Sequence, residues 1–182
     1  MGLTGLLKRV RQMDHEMRIV VLGLDGCGKT SILNILAKGA PGDDPPTKTF
    51  DIKDIEKDQN HLRFFDVSGS KSSRISWRVF LDSIDGIIWV IDSYDNTRIE
   101  ESKSEFENIL NVDRSGNVPI LVLMNKQDIK GCISSSEINS VFQFHRFAQR
   151  NIIIMQSSTS DPQSINDAID TLIHEISDKN NA

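Results

Sequence analysis

The chain has 182 residues, one domain's worth, and is long enough to bury a core unaided. Its formal charge of −5 argues against broad nucleic-acid binding, which needs a basic surface. Cys27 and Cys132 have no metal-ligand neighbour or C-x-x-C partner, and no apolar run approaches the ~18 residues of a membrane span, so a reduced cytosolic setting is the simplest expectation. The N-terminus lacks a signal peptide's long apolar stretch and small-residue cleavage site. Residues 1–16 instead read as an amphipathic helix and linker ahead of a single domain over 17–180. Leu3, Leu6, Leu7 and Val10 fall at i, i+3, i+4 and i+7, and Lys8, Arg9 and Arg11 lie beside them. Such a helix inserts shallowly into an anionic membrane surface, or packs on the protein's own surface. Gly2 invites acylation, although Leu6 stands where the myristoylation pattern wants Ser or Thr.

The first strand, Ile19–Leu22, runs into Gly23-Leu24-Asp25-Gly26-Cys27-Gly28-Lys29-Thr30, which fits G-x-x-x-x-G-K-[ST]. A helical pattern over Thr30–Ala37 follows. Strand, glycine loop and helix in that order are the context a phosphate loop needs. Glycines let the backbone curl so that N–H groups face phosphate oxygens, and the helix N-terminus adds its positive end. Lys29 is expected on the β- and γ-phosphates and Thr30 on Mg²⁺. Asp25, Gly26, Gly28 and Ser31 complete the loop's candidate contacts with a nucleoside tri- or diphosphate.

Further strands are predicted at Phe50–Ile55, Leu62–Val67, Ile87–Ile91, Ile120–Met124 and Ile152–Met155. Helices are predicted near Arg74–Leu81, Arg98–Leu110, Ser136–Phe142 and Ser164–Ile176. The last three strands are nearly continuous in apolar residues, as expected for strands covered on both faces. Alternating βα units predict an α/β fold: a six-stranded, mostly parallel sheet with helices on both faces. The short link Glu56 to His61 leaves no room for a crossover helix, so one strand is expected antiparallel at the edge. Ligands of such sheets sit at the carboxyl ends of the strands.

Two further loops reach that edge. Asp66, ending its strand near Lys29 and Thr30, is placed to hold Mg²⁺ directly or through water, unless it only forms an Asx-turn. Gly69 leaves its N–H free for the γ-phosphate. Thr47, after Pro45-Pro46, adds a second hydroxyl to Mg²⁺ if its loop folds over the phosphates; otherwise it belongs to an ordinary Pro-rich loop. Asn125-Lys126-Gln127-Asp128 directly follows the strand Ile120–Met124. A carboxylate there accepts from two N–H groups of guanine, which adenine does not present in the same arrangement. The alternative is a polar loop without a ligand.

Taken together, these residues resemble a small GTPase of the Ras superfamily, in the ADP-ribosylation-factor-like branch, over nearly the whole length. Gly23-Leu24-Asp25, Pro46-Thr47-Lys48-Thr49-Phe50, Trp77-Arg78, Val90-Ile91-Asp92-Ser93 and Asn-Lys-Gln-Asp all carry the likeness. The resemblance implies cycling between GDP and GTP with Mg²⁺, and a place in membrane traffic or lipidated-cargo transport. It implies effectors met through Phe50, Phe65, Trp77 and Phe80, plus an exchange factor and an activating protein. For Phe65, core packing weighs at least as much as an effector role. The N-terminal helix would dock with GDP and be released to a membrane with GTP. Asn125 would tie loops together, the Lys126 stem would cover the base, and Ser157-Ser158-Thr159 would take the place of the guanine-supporting Ser-Ala pair.

The departures from the branch's pattern fall near the phosphates. Thr49 and Ser68 stand where it has glycines, and Ser70 replaces the water-positioning glutamine, which implies weak intrinsic hydrolysis. Arg74 and Arg78 read as exposed salt-bridging residues rather than a cis arginine finger. Three functions compete: a switch, a nucleotide-locked binding module, and a small P-loop kinase using ATP. Asn125–Asp128 speaks against the kinase.

Overall fold

In the computed structural model, residues 16–112 and 118–181 are described, with side chains to Lys179. The stripe of Leu3, Leu6, Leu7 and Val10 lies outside the described residues. β1 (Glu16–Leu22) enters the glycine loop and α1 (Lys29–Lys38). β2 (Phe50–Lys57) and β3 (Asn60–Val67) follow, then a 3₁₀ helix at Arg74–Leu81 and β4 (Gly86–Asp92). A short 3₁₀ turn, Asn96–Arg98, leads into α2 (Ile99–Val112). β5 (Ile120–Asn125), α3 (Ser135–Phe142), a 3₁₀ turn at Phe144–Phe147, β6 (Ile152–Gln156) and α4 (Pro162–Asn181) complete the chain.

The strands form one six-stranded sheet in the order β2-β3-β1-β4-β5-β6. Every neighbouring pair is parallel except β2 with β3, where Phe50 faces Val67 and Lys57 faces Asn60. The hairpin closes in two residues, Asp58 and Gln59, with φ of 49° and 67°. That both-positive pattern is the type I′ turn, whose twist matches the strands. It lets β2 and β3 run two residues further each way than the apolar pattern indicates.

Alternation along β1 divides the core. Val20 and Leu22 join Trp77, Trp89, Phe106 and Phe142 on the face covered by α2 and α3. Ile19 and Val21 join Ile32, Leu33, Ile165 and Leu172 under α1 and α4. Each such side chain, fully buried, contributes about 1.5–3 kcal/mol. β4 and β5 are buried along nearly all their length, as their apolar runs imply. β6 is only half-buried, contrary to expectation, because it forms the sheet's other edge.

Two local outcomes trace to serine. The helix expected at Arg74–Leu81 is a 3₁₀ helix, and it begins with Ser76 Oγ donating to Ser73 O at 2.6 Å. Hydroxyls that bond nearby carbonyls compete with the α-helical ladder. At α3, Ser134 and Glu137 form a reciprocal capping box, which fixes the start at Ser135.

Candidate nucleotide-binding site

The turn out of β1 exists because its glycines take backbone conformations closed to other residues. Gly28 has φ of 101°, and a Cβ there would meet Asn125 Nδ2 at 2.4 Å. Lys29, 6% exposed, curls back across the loop and donates to Gly23 O at 3.0 Å and Leu24 O at 2.8 Å. Ser31 is half-buried in the first turn of α1. Gly26 and Asp25 form the loop's exposed rim. Asp25 accepts from Arg98, side chain at 3.1 Å and carbonyl at 3.0 Å. Burial pushes the Cys27 thiol above its usual range, against the opposing charge of Lys29.

Three oxygens converge beside this loop. Thr30 Oγ1 donates to Asp66 Oδ2 at 2.6 Å, and Thr47 Oγ1 lies 3.1 Å from Thr30 Oγ1 and 3.4 Å from the same carboxylate oxygen. Asp66 is fully buried and its Oδ1 has no hydrogen-bond partner among the described residues. Burial raises its carboxyl above the ordinary range, against the Thr30 hydrogen bond and the nearby Lys29 charge. A buried carboxylate with a spare acceptor and two hydroxyls fits a hard divalent cation such as Mg²⁺.

The loop carrying Thr47 is anchored by Asn34, which the sequence reading did not single out. This buried helix residue donates to Pro41 O and Asp44 Oδ2, each at 2.7 Å, and accepts from Lys53. A polar residue on the apolar face of α1 was the available signal. Thr49 keeps a negative φ, so its replacement of glycine costs no backbone strain. Its carbonyl accepts from Ser68 N–H at 2.8 Å.

Gly69 lies hard against the phosphate loop, where a Cβ would come within 2.3–2.4 Å of Gly23, Leu24 and Asp25 backbone atoms. Beyond it the serine hydroxyls bond one another. Ser70 Oγ is 2.8 Å from Ser73 Oγ and 3.3 Å from both Ser68 Oγ and Ser72 Oγ. Arg74 is ion-paired as expected but buried rather than exposed. Its Nε donates to Gly69 O at 2.9 Å, and its Nη1 to Glu101 at 2.7 Å and Glu105 at 3.2 Å. Arg78 is exposed.

Trp77, expected at the effector surface, is 1% exposed. Its Nε1 donates to Ser68 O at 2.9 Å and its ring meets Trp89 edge-on at 5.6 Å, so it braces the segment from inside. Phe65 is buried as well. Phe50 is half-exposed and packs on Phe80 at 5.2 Å. Ile52, Ile75 and Val79, missed in the sequence, are exposed apolar residues on the same two elements, β2 and the 3₁₀ helix. On the 3₁₀ helix Ile75 and Val79 are displayed while Trp77 and Leu81 turn inward.

The loop after β5 is tied to the phosphate loop by Asn125, whose Nδ2 donates to Cys27 O at 2.9 Å while its Oδ1 accepts from Ser157 Oγ at 3.4 Å. Lys126, at φ 67°, pairs with Asp92 at 2.5 Å, and Gln127 donates to Ser93 Oγ at 2.8 Å. Asp128 Oδ1 accepts from Ser158 Oγ at 2.5 Å and Oδ2 from Ser160 Oγ at 3.1 Å. The Ser158 hydrogen bond, foremost, holds this carboxyl below its usual range. Thr159 lies in the turn between the two serines. Ser160 escaped the sequence reading, which stopped at Thr159.

The ADP-ribosylation factor family model matches residues 3–176. The chain is similar to ADP-ribosylation factor-like protein 2 of Drosophila melanogaster, 38% identical over 177 residues, covering 97% of this chain and 96% of the relative. It is 34% identical to ADP-ribosylation factor-like protein 3 of Chlamydomonas reinhardtii, covering 97% and 99%. Among solved structures it is similar to the Arl6 BBS3 small GTPase from Trypanosoma brucei with the bound nucleotide analogue GppNp. The TM-score is 0.80 at 26% identity, covering 89% of this chain and 98% of that one. Matched by the family model over residues 3–176, the chain belongs to the ADP-ribosylation factor family, GTP-binding switches that hydrolyse GTP.

Proposed function

We propose that the chain is a guanine-nucleotide switch with slow intrinsic hydrolysis, acting at membranes in traffic or lipidated-cargo transport. Its effectors would dock on Phe50, Phe80 and the neighbouring Ile52, Ile75 and Val79, with an exchange factor and an activating protein setting the cycle. The observation that carries this is the convergence of Thr30, Thr47 and Asp66 at the loop's mouth with Ser70 in the glutamine's place.

In this scheme Lys29 releases the carbonyls of Gly23 and Leu24 to meet the β- and γ-phosphates. Thr30 and Thr47 hold Mg²⁺, with Asp66 directly or through water. Mg²⁺, when bound there, would supply positive charge to offset that of the phosphates. Gly69 brings its N–H against the phosphate loop, where no side chain fits. Asp128 accepts from guanine, Lys126 covers the base, Asn125 holds the two loops together, and Ser158 and Thr159 line the base side. Ser70 is too short to orient water and contact phosphate together, so turnover is slow. The stripe of Leu3, Leu6, Leu7 and Val10 would make the membrane contact.

One observation favours a second reading, a GTP-locked binding module: the Ser70 hydroxyl is engaged by Ser68, Ser72 and Ser73. Single-turnover GTP hydrolysis separates the two. The wild-type rate is expected at or below roughly 3–5 × 10⁻⁴ s⁻¹, the unassisted range of a small GTPase with its glutamine. Ser70→Gln is expected to raise it. No change would favour the locked module, and a wild-type rate far above that range would defeat both readings.

A further inference from the structure

We propose that Asn34 is a positioning residue for the triphosphate: its side-chain amide fixes the loop that carries Thr47, so that preference for a triphosphate over a diphosphate depends on a buried helix residue outside the Thr30–Thr47–Asp66 cluster. This rests on the assignment of those three residues to Mg²⁺. Thr30 and Asn34 stand four residues apart in α1, which places them on one face of the helix. The same face therefore presents a metal hydroxyl and, one turn on, the anchor of the loop that brings the second hydroxyl.

A buried amide costs free energy unless its groups are hydrogen-bonded, and Asn34 is 1% exposed. All of its polar atoms are used. Nδ2 donates to Pro41 O and to Asp44 Oδ2, each at 2.7 Å, and Oδ1 accepts from Lys53 Nζ. Only one orientation of the amide satisfies these partners, because turning it over would set its oxygen against a carbonyl and a carboxylate. The loop is moulded to it as well. Gly42 has φ of 70°, and a Cβ there would meet Asn34 Nδ2 at 2.7 Å. Between Asp44 and Thr47 stand only Pro45 and Pro46, whose rings fix φ, so a displacement of Asp44 passes on to Thr47. On the far side of Thr47, Lys53 belongs to β2 and lies 3.9 Å from the Asp44 carboxylate. One amide thus holds the loop from both sides, and Thr47 Oγ1 is set 3.1 Å from Thr30 Oγ1.

The test is calorimetry on the full chain with GDP and with the triphosphate analogue GppNp, each in Mg²⁺ and in EDTA. Asp44→Ala removes the anchor from the exposed loop without opening the helix face, and Asn34→Ala removes the amide itself. In Mg²⁺ both variants should lose about tenfold in GppNp affinity, the lower end for a charge-assisted hydrogen bond, with GDP affinity nearly unchanged. In EDTA variants and wild type should bind GppNp alike, which a general loosening of the helix would not produce. Asp44→Asn, which keeps an acceptor for Asn34, should keep the wild-type preference. Equal weakening of both nucleotides, a deficit that persists in EDTA, or no change in either variant would overturn the proposal. Wild-type protein that binds GppNp equally well in Mg²⁺ and in EDTA would instead defeat the metal assignment of Thr30 and Thr47. That result is distinct from a Mg²⁺-dependent protein indifferent to Asn34 and Asp44.

Discussion

Serine lines both ends of the nucleotide-binding edge, yet the two ends use it differently. At the base end each hydroxyl is aimed at an ion, with Ser158 and Ser160 dividing the two oxygens of Asp128. At the phosphate end the hydroxyls of Ser68, Ser70, Ser72 and Ser73 are spent on one another. Hydrogen bonds to charged groups contribute about 1.5–3 kcal/mol, against 0.5–1.5 for neutral pairs. The same side chain therefore fixes geometry at one end and only fills a vacated position at the other.

The comparison can be broken most directly at Asp128. Asp128→Asn removes the charge both serines serve, and GDP affinity measured by calorimetry should fall on the order of 10²–10⁴-fold, two charge-assisted hydrogen bonds' worth. Xanthine diphosphate, which exchanges a donor for an acceptor, should gain. Next in size is Trp77→Ala, which empties the pocket under Ser68. Urea unfolding should show a loss of about 3–5 kcal/mol. A loss under 1 kcal/mol would mean that the indole does not brace the phosphate end. Thr30→Asn should weaken GTP-analogue binding in Mg²⁺ by about 10–100-fold relative to GDP, the range for disturbing a metal's support. Equal loss for both nucleotides would place Thr30 outside triphosphate recognition.

The smallest effect should come from a site touching neither end. His61 gains a proton partner in Glu56, then in Asp54, against Arg63, and its pKa is raised above 6.5. A raised histidine stabilises the fold fully below the unfolded value and loses that contribution as pH rises through the folded one. His61→Ala should therefore cost up to about 1 kcal/mol at pH 5.5, discounted for an exposed pair, and almost nothing at pH 8.5. Thermal melts at both values check it. Nucleotide selectivity should not move in this variant.

Sheet order, hairpin and phosphate loop were legible because each is written in neighbouring residues. Apolar runs mark strands, Gly28-Lys29-Thr30 marks the loop, and the six-residue link from Glu56 to His61 allows only a hairpin. Apolar content did not separate β6, an edge, from β5, a centre, because Ile152–Met155 is as apolar as Ile120–Met124. The direction of Trp77 and the burial of Arg74 were illegible for another reason. Their partners are Trp89, Glu101 and Glu105, which lie further along the chain, and local periodicity cannot report them. Ser160 was missed because its meaning depends on Asp128, thirty-two residues earlier.

Trp77 and Trp89 are the chain's two tryptophans, and their rings stand nearly perpendicular, at 86°, with centroids 5.6 Å apart. Indoles so close couple their strong far-ultraviolet transitions, which gives a signed band pair in far-ultraviolet circular dichroism. One indole is hydrogen-bonded to the Ser68 carbonyl and the other to Ser102, so one chromophore rides on the phosphate segment and its partner on the core. A displacement of Ser68 that carries the Trp77 indole with it changes their coupling. The molecule thus carries an optical gauge of its own phosphate end, readable without a label.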